Sequence, residues 1–344
     1  MTMPSTPSTA GATAPTSAAT SAATSAGTSA VGPLRIAVMG AGAVGCYFGG
    51  VLARAGHDVT LIGRPQHVEA IQRDGLRMET ATFDVQIPLK ADTEPAAAQG
   101  ADVVLFCVKS TDTIEAARQL QPFLSPHTLL LSMQNGVDNA ERLREVLTQP
   151  VSAAVVYVAT GMIGPGHVKH YGRGELIIEP ADGAEQVAQA FIAAGVPTDV
   201  SVNARGALWA KLLINCAYNA MSAVTQQSYG QLVQGEGVWA VLDDLVNEGL
   251  EVARASGVDV SGDVHAAVRK IAETMPGQLS STAQDLKRGK PSEIDHLNGY
   301  LVRRGEALGV PTPANRVMYA LVRVMQAPAA TSVPTAVASS SAPA

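Results

Sequence analysis

With 344 residues and 47% apolar content, the chain is long enough for two domains of ordinary size. A net charge of −6, with no run of basic residues, argues against a nucleic-acid surface. Aromatic residues make up only 4%, so Ala, Val and Leu must build the core.

Cys46, Cys107 and Cys216 are an odd, scattered set without a CxxC, each in an apolar context, and read as reduced buried thiols of a cytoplasmic protein. The seven histidines form no HExxH, and no metal is expected. The longest uncharged, apolar-leaning interior run, residues 151–166, is shorter than the about 20 residues that a spanning helix needs. A soluble protein with no membrane partner is expected. Residues 1–33 and 327–344 are almost wholly Ala, Ser, Thr, Pro and Gly, and every charged residue lies between Arg35 and Arg323. Such ends bury too little apolar surface to offset their ordering entropy, so both are expected to be disordered tails. The first also lacks the basic and apolar regions of a signal peptide.

The folded part opens on a short β-rich run, residues 34–39, followed at once by Gly40, Ala41, Gly42, Ala43, Val44 and Gly45 and then an amphipathic segment that stops at Gly56. A GxGxxG that follows a strand and opens a helix is the context in which the motif binds a dinucleotide. Gly40 permits the turn, Gly42 lets the backbone approach a pyrophosphate, and Gly45 lets helix and strand pack closely. The next strand, residues 58–62, ends in Gly63 and Arg64. An acidic residue there would hold a ribose 2′-hydroxyl; Arg64 instead offers a fork for a 2′-phosphate, which points to NADP(H). Residues 103–108 form an apolar strand that delivers Lys109, and residues 128–133 another that delivers Asn135 before Gly136; residues 114–124 between them read as a helix. Both strand ends should lie at the carboxyl edge where doubly wound sheets bind ligands, although Asn before Gly is also an ordinary turn. Further strands are expected at 151–158, 168–170 and 176–179 and a helix at 184–194, the sheet closing near residue 200.

Beyond residue 203 strand signals disappear, and residues 203–227, 238–256, 264–274, 282–288, 293–308 and 314–325 all read as helices. The expected fold is therefore α/β, an N-terminal Rossmann-type doubly wound sheet (34–200) followed by an all-α C-terminal domain (201–326), with a small-molecule cleft between them. In the first of these helices Lys211, Asn215 and Asn219 fall at i, i+4 and i+8, on one face over about 12 Å. One ammonium and two carboxamides form a ladder of donors suited to an oxygen-rich anion; the same spacing also describes a solvated stripe. Ser281 just ahead of a helix could be a cap, and Glu293 just after Pro291 could be a dipole-complementing acid.

Taken together, GAGAVG at 40–45, VKS at 108–110, QNG at 134–136, KxxxNxxxN at 211–219 and SSxxQD…EIDxxNG at 280–299 resemble the ketopantoate reductase (2-dehydropantoate 2-reductase) family over residues 34–326. The resemblance implies NADPH-dependent reduction of 2-dehydropantoate to pantoate, a step of pantothenate and coenzyme A biosynthesis. It implies Lys211 as general acid, with Asn215, Asn219 and Ser281 on the substrate. Glu293 and Asn135 would contact cofactor ribose and substrate, Arg64 the 2′-phosphate, and Lys109 the cofactor. The family has a further substrate-binding Asn ten residues beyond the second helix Asn, where this chain has Tyr229. A phenol fills more space there, so a paralogous NADP-dependent reductase of another 2-oxo acid is the alternative, and a non-catalytic NADP(H)-binding sensor a third reading. A homodimer is compatible with the sequence, which carries no feature that sets the assembly.

Overall fold

A computed structural model of the chain describes residues 32–326. The two tails therefore lie outside the described residues, apart from Gly32 and Pro33. The first part of the chain runs β1 (Arg35–Met39), α1 (Ala43–Arg54), β2 (Asp58–Ile62), α2 (Pro65–Asp74), β3 (Leu76–Glu79), β4 (Asp84–Ile87), β5 (Lys90–Asp92), β6 (Val103–Phe106), α3 (Thr113–Leu120), β7 (Leu129–Ser132), α4 (Asn139–Val146), β8 (Val151–Gly164), β9 (His167–Ile178), α5 (Ala184–Ala193) and β10 (Thr198–Val200). Among the described residues these ten strands form one sheet, in the order β4-β3-β9-β8-β7-β6-β1-β2-β5, with β10 beside β9. From β5 to β8 every neighbour is parallel; β8 with β9 and β3 with β4 are antiparallel.

Alternation along β1 explains why the sheet is covered on both faces. Ile36 and Val38 face a core with Phe48 and Leu52 of α1 and Phe191 of α5. Ala37 and Met39 face another with Leu120 of α3, Leu143 of α4, and Ala207 and Leu208 from the helix that follows the sheet. β6 (VVLF) and β7 (LLLS) are buried along their whole length, as doubly covered strands should be.

Three expected strands after residue 150 are in fact one long hairpin. β8 and β9 pair from Ala154–Ile178 out to Gly164–His167, with three register shifts. The shifts leave Gly174, Tyr171 and Ile163 unpaired, and Gly166 in the turn and Gly172 and Gly174 in β9 have positive φ, which together hide the alternation from the sequence. β3, β4 and β5 gave no strand signal because they are short and charged.

The remainder is helical: α6 (Ala204–Thr225), α7 (Tyr229–Leu232), α8 (Val238–Ala255), α9 (Val264–Thr274), α10 (Ser281–Lys287), α11 (Asn298–Leu308) and α12 (Pro313–Gln326). Asn203 caps α6 by accepting from the Gly206 N–H at 3.2 Å, and Gln226 ends it in a left-handed conformation. Trp209, Leu212, Leu213 and Cys216 of α6 pack among Leu242 and Leu245 of α8, Val268 of α9 and Leu301 of α11. Each such fully buried side chain contributes about 2 kcal/mol relative to exposure. α6 thus belongs to both halves: its first turn seals one sheet face and its body is the axis of the helical lobe. The helix expected over 293–308 is broken into a 3₁₀ turn at Ile294–His296 and α11, with Leu297 between them at φ −111°, ψ −108°. The buried Asn298 amide bonds the Cys216 carbonyl (3.0 Å) and Asn315 Oδ1 (2.9 Å), which ties the chain to α6 at that break. Among the described residues no helix is long and apolar enough to cross a membrane.

Candidate active site

The turn after β1 is built around close approaches. At Gly40, with φ +110°, a Cβ would stand 2.7 Å from the Cys107 carbonyl carbon; at Gly45 it would stand 2.2 Å from the Gly40 oxygen. The Gly40 and Ala41 N–H groups both donate to the Ile62 carbonyl (2.9 Å), locking the turn against β2. Ala43, Val44 and Gly45 form the first turn of α1, where N–H groups have no intrahelical partner. That turn has no side-chain cap and no acidic residue, and a Cβ on Gly42 would meet nothing within 4 Å. An uncapped helix N-terminus facing open space suits a pyrophosphate. Arg64 stands exposed at the end of β2 as the N-cap residue of α2. Burial, then the positive charges of Arg64 and Lys290, hold the nearby His67 imidazole below its ordinary range. Lys290 comes to this corner from the helical lobe.

Lys109 and Ser110 follow β6, and Asn135 follows β7. Lys109 reaches across to Asp285 of α10 (2.8 Å) and lies 3.8 Å from Glu293. Burial pulls the Lys109 amine down, but Glu293, Asp285 and Asp112 outweigh it and hold the group above its usual range. Glu293 is 9% exposed, and its Oε1 accepts the Ser110 backbone N–H at 2.8 Å. The Asn135 carbonyl accepts from the Ser110 hydroxyl (3.0 Å) and from Asn139 Nδ2 (2.6 Å), which fixes the loop that presents the Asn135 side chain.

Lys211 projects from α6 into this cluster. Its Nζ donates to Asn135 Oδ1 at 3.0 Å and to the Val156 carbonyl of β8 at 2.6 Å. Burial pushes the amine down to about 8, with the nearby positive charge of Arg173 adding to the shift and the Glu293 carboxylate opposing it. Asn215 is partly exposed one turn further along α6; the next residue of the ladder, Asn219, is 3% exposed and donates to the Ser281 hydroxyl at 3.4 Å. The cap of α10 is Ser280, not Ser281: Ser280 Oγ accepts from the Ala283 N–H (3.0 Å) and donates to the Asn219 carbonyl (3.1 Å), so Ser281 stands exposed in the first turn. Glu293 likewise precedes a 3₁₀ turn rather than opening an α-helix.

The structure thus brings together Lys211, Asn135, Glu293 and Lys109, and pairs Asn219 with Ser281. Tyr229 is not joined to them by any hydrogen bond: its ring packs on Tyr218 with centroids 4.6 Å apart, and Tyr218 donates to the Val268 carbonyl. Sequence reasoning missed Ser110 as a bridge between lobes, Asn139 as the clamp on Asn135, Lys290 and the Val156 carbonyl. Asn139 at i+4 from Asn135 could have been found; a backbone carbonyl leaves no trace in a sequence.

A Rossmann-type sheet closed by a helical lobe, with an amine held between the loop after β7 and the middle of β8, defines a dinucleotide-dependent oxidoreductase. Two family models match in the same order, "Ketopantoate reductase PanE/ApbA" over residues 36–183 and "Ketopantoate reductase PanE/ApbA C terminal" over residues 203–326. A 2-dehydropantoate 2-reductase of Halobacterium salinarum is 37% identical over 85% of this chain and 99% of its own. The crystal structure of a PanE/ApbA family ketopantoate reductase from Ralstonia eutropha superposes with a TM-score of 0.83 at 64% identity, covering 85% of this chain and 98% of that one. A D-mandelate dehydrogenase solved with NADH and anilino(oxo)acetate shares the fold, with a TM-score of 0.79 at 23% identity over 85% and 98% of the two chains. The chain belongs to the ketopantoate reductase family.

Proposed function

We propose that this chain reduces 2-dehydropantoate to pantoate with NADPH, Lys211 giving the proton to the keto oxygen. The observation that carries the reading is the Lys211 amine, bound at 3.0 Å and 2.6 Å to two acceptors and shifted to about 8. An ammonium has three N–H donors. Asn135 and Val156 engage two, which leaves one for a substrate oxygen. When that proton goes, the neutral amine still has the two N–H groups its acceptors need, so no buried acceptor is orphaned in either state. Near neutral pH such an amine is protonated yet releases a proton readily, which is what a general acid requires. The remaining cation can stabilise charge developing on the oxygen more than it stabilises the ground state.

NADPH, when bound, supplies the hydride. The turn Gly40–Gly45 and the start of α1 would hold its pyrophosphate, Arg64 its 2′-phosphate with Lys290 close by, and Lys109, Asn135 and Glu293 the rest. Asn215, Asn219 and Ser281 would bind the substrate's hydroxyl and carboxylate as neutral groups that leave the Lys211 shift intact. In this reading residues 34–200 and 201–326 are the cofactor and substrate domains. The three free thiols fit the reducing cytoplasm. A homodimer is the proposed assembly, consistent with the exposed apolar row Val317, Leu321, Val324 and Met325 on α12.

A second reading, a reductase of another 2-oxo acid, draws support from Tyr229 lying against Tyr218 where the resemblance implies an Asn. NADPH consumption with 2-dehydropantoate and a panel of 2-oxo acids separates the two. The highest kcat/KM should fall on 2-dehydropantoate; a different acid preferred by tenfold or so would establish the second reading. NADPH binding without turnover of any acid would leave only a sensor.

A further inference from the structure

Arg173 belongs to no motif and lies mid-strand in β9, yet its backbone has φ +59°. Among the described residues it shares a left-handed conformation with only one other non-glycine, Gln226, which ends a helix where such geometry is ordinary. Within a strand it is strained, and strain of this kind persists where the surroundings over-determine it. Gly172 and Gly174 flank it at φ +149° and +151°, and the register slips here: Tyr157 faces Glu175 but Val158 faces Arg173, with Gly174 as the extra residue. The bulge re-aims the Arg173 side chain.

The guanidinium lies 4.4 Å from the centroid of the Tyr157 ring, and Tyr157 is the residue after the carbonyl that holds Lys211. Tyr157 packs on the apolar cluster that includes Ala207 and Leu208, the turn of α6 just before Lys211. The charge of Arg173 is felt at Lys211 itself. Only Nε of the guanidinium is engaged, to Glu175 at 3.3 Å; its two terminal nitrogens make no hydrogen bond within the described residues. A guanidinium is therefore placed over an aromatic ring, its side chain 53% exposed and its terminal nitrogens uncommitted among the described residues, with its charge reaching the proposed proton donor.

We propose that Arg173 binds the carboxylate of the 2-oxo acid and selects for that charge. The inference rests on the proposed reduction. In a 2-oxo acid the carboxylate is bonded directly to the carbonyl carbon, so a group that binds it must stand close to whatever binds the keto oxygen. The other proposed substrate ligands, Asn215, Asn219 and Ser281, are uncharged. Neutral donors alone leave a desolvated carboxylate poorly compensated, whereas a guanidinium fork matches it with two parallel hydrogen bonds. Stacking on Tyr157 keeps the fork oriented before substrate arrives.

The test is Arg173→Gly, which relieves the left-handed strain and so should fold at least as well as the parent by thermal melting. Arg173→Lys is its companion, keeping charge without the fork. KM and kcat are measured for 2-dehydropantoate and for its uncharged primary amide, and pantoate is titrated calorimetrically into the NADP-saturated enzyme. The expected result is a KM for the acid raised at least about tenfold in Arg173→Gly, with kcat changed far less. The preference for acid over amide should collapse, pantoate binding should weaken in parallel, and Arg173→Lys should recover part of the loss. Equal effects on acid and amide, or unchanged pantoate affinity, would overturn the assignment. A parent enzyme that turned over the amide but no acid would overturn it too, whereas a parent that preferred a different 2-oxo acid would refute the substrate identity and, with the same collapse on that acid, uphold Arg173.

Discussion

The burial of Lys211 fixes how the reaction should respond to alkali. Its amine is pushed from 10.5 to about 8, a drop of about 2.5. At about 1.4 kcal/mol per unit this is about 3 kcal/mol in favour of the neutral form. Donation needs the ammonium, and a lowered lysine keeps its proton only below its shifted value. The competent form is therefore complete at neutral pH and disappears as pH rises through about 8. kcat/KM for reduction should be flat near neutrality, then fall about tenfold per pH unit, to about a hundredth two units above the midpoint. An unshifted lysine would hold the rate to about pH 10. Of the two charges acting on the amine, the Glu293 carboxylate raises its value. Glu293→Gln keeps an oxygen for the Ser110 N–H (2.8 Å) but removes that charge, so the alkaline limb should move to lower pH. The assay is initial velocity of NADPH consumption at low 2-dehydropantoate from about pH 6 to about pH 11. A rate that holds to pH 10, or a Glu293→Gln limb displaced upward, would refute the reasoning.

Two further substitutions probe the dinucleotide turn. Arg64→Ala should erode the preference for NADPH over NADH by about 10–100-fold, the worth of a charge-assisted hydrogen bond to phosphate; fluorescence titration of both cofactors reads it, and an unchanged ratio counts against Arg64. Gly45→Ala places a methyl 2.2 Å from the Gly40 oxygen and 2.8 Å from Val38 Cγ1. Overpacking of that kind costs about 1–3 kcal/mol, so the melting temperature and NADPH affinity should both fall, and a variant equal to the parent in both would show that the close approach is not needed.

How far the sequence could be read depended on which physics set each element. Elements dictated by local pattern were plain: the strand–glycine–helix opening, the fully apolar β6 and β7, and α9, whose bounds match the expected 264–274. Elements decided by tertiary context were not. β4 and β5 are short, charged edge strands, and β3, though it turns Leu76 and Met78 inward, has only four residues and takes its place from pairing with β4 and β9. The β8–β9 hairpin is continuous across glycines that read as breaks. The gap at Leu297 follows from the pull of Asn298 on α6, which no periodicity reports. Within the site, Lys211 stood out by its i, i+4, i+8 spacing with Asn215 and Asn219, whereas Asn135 and Glu293 were assigned to the site only by the motifs of the family resemblance. The Val156 carbonyl and the bulge that turns Arg173 were not legible, because a backbone acceptor and a left-handed φ exist only once the sheet has formed.

The proposed reduction depends on the Lys211 amine as its proton donor. It is tested most directly by Lys211→Ala, comparing turnover of 2-dehydropantoate at saturating NADPH with NADPH affinity by fluorescence. In the variant kcat should fall by at least about a hundredfold with cofactor affinity little changed. A variant that binds NADPH normally and still turns over at close to the parent rate would contradict it.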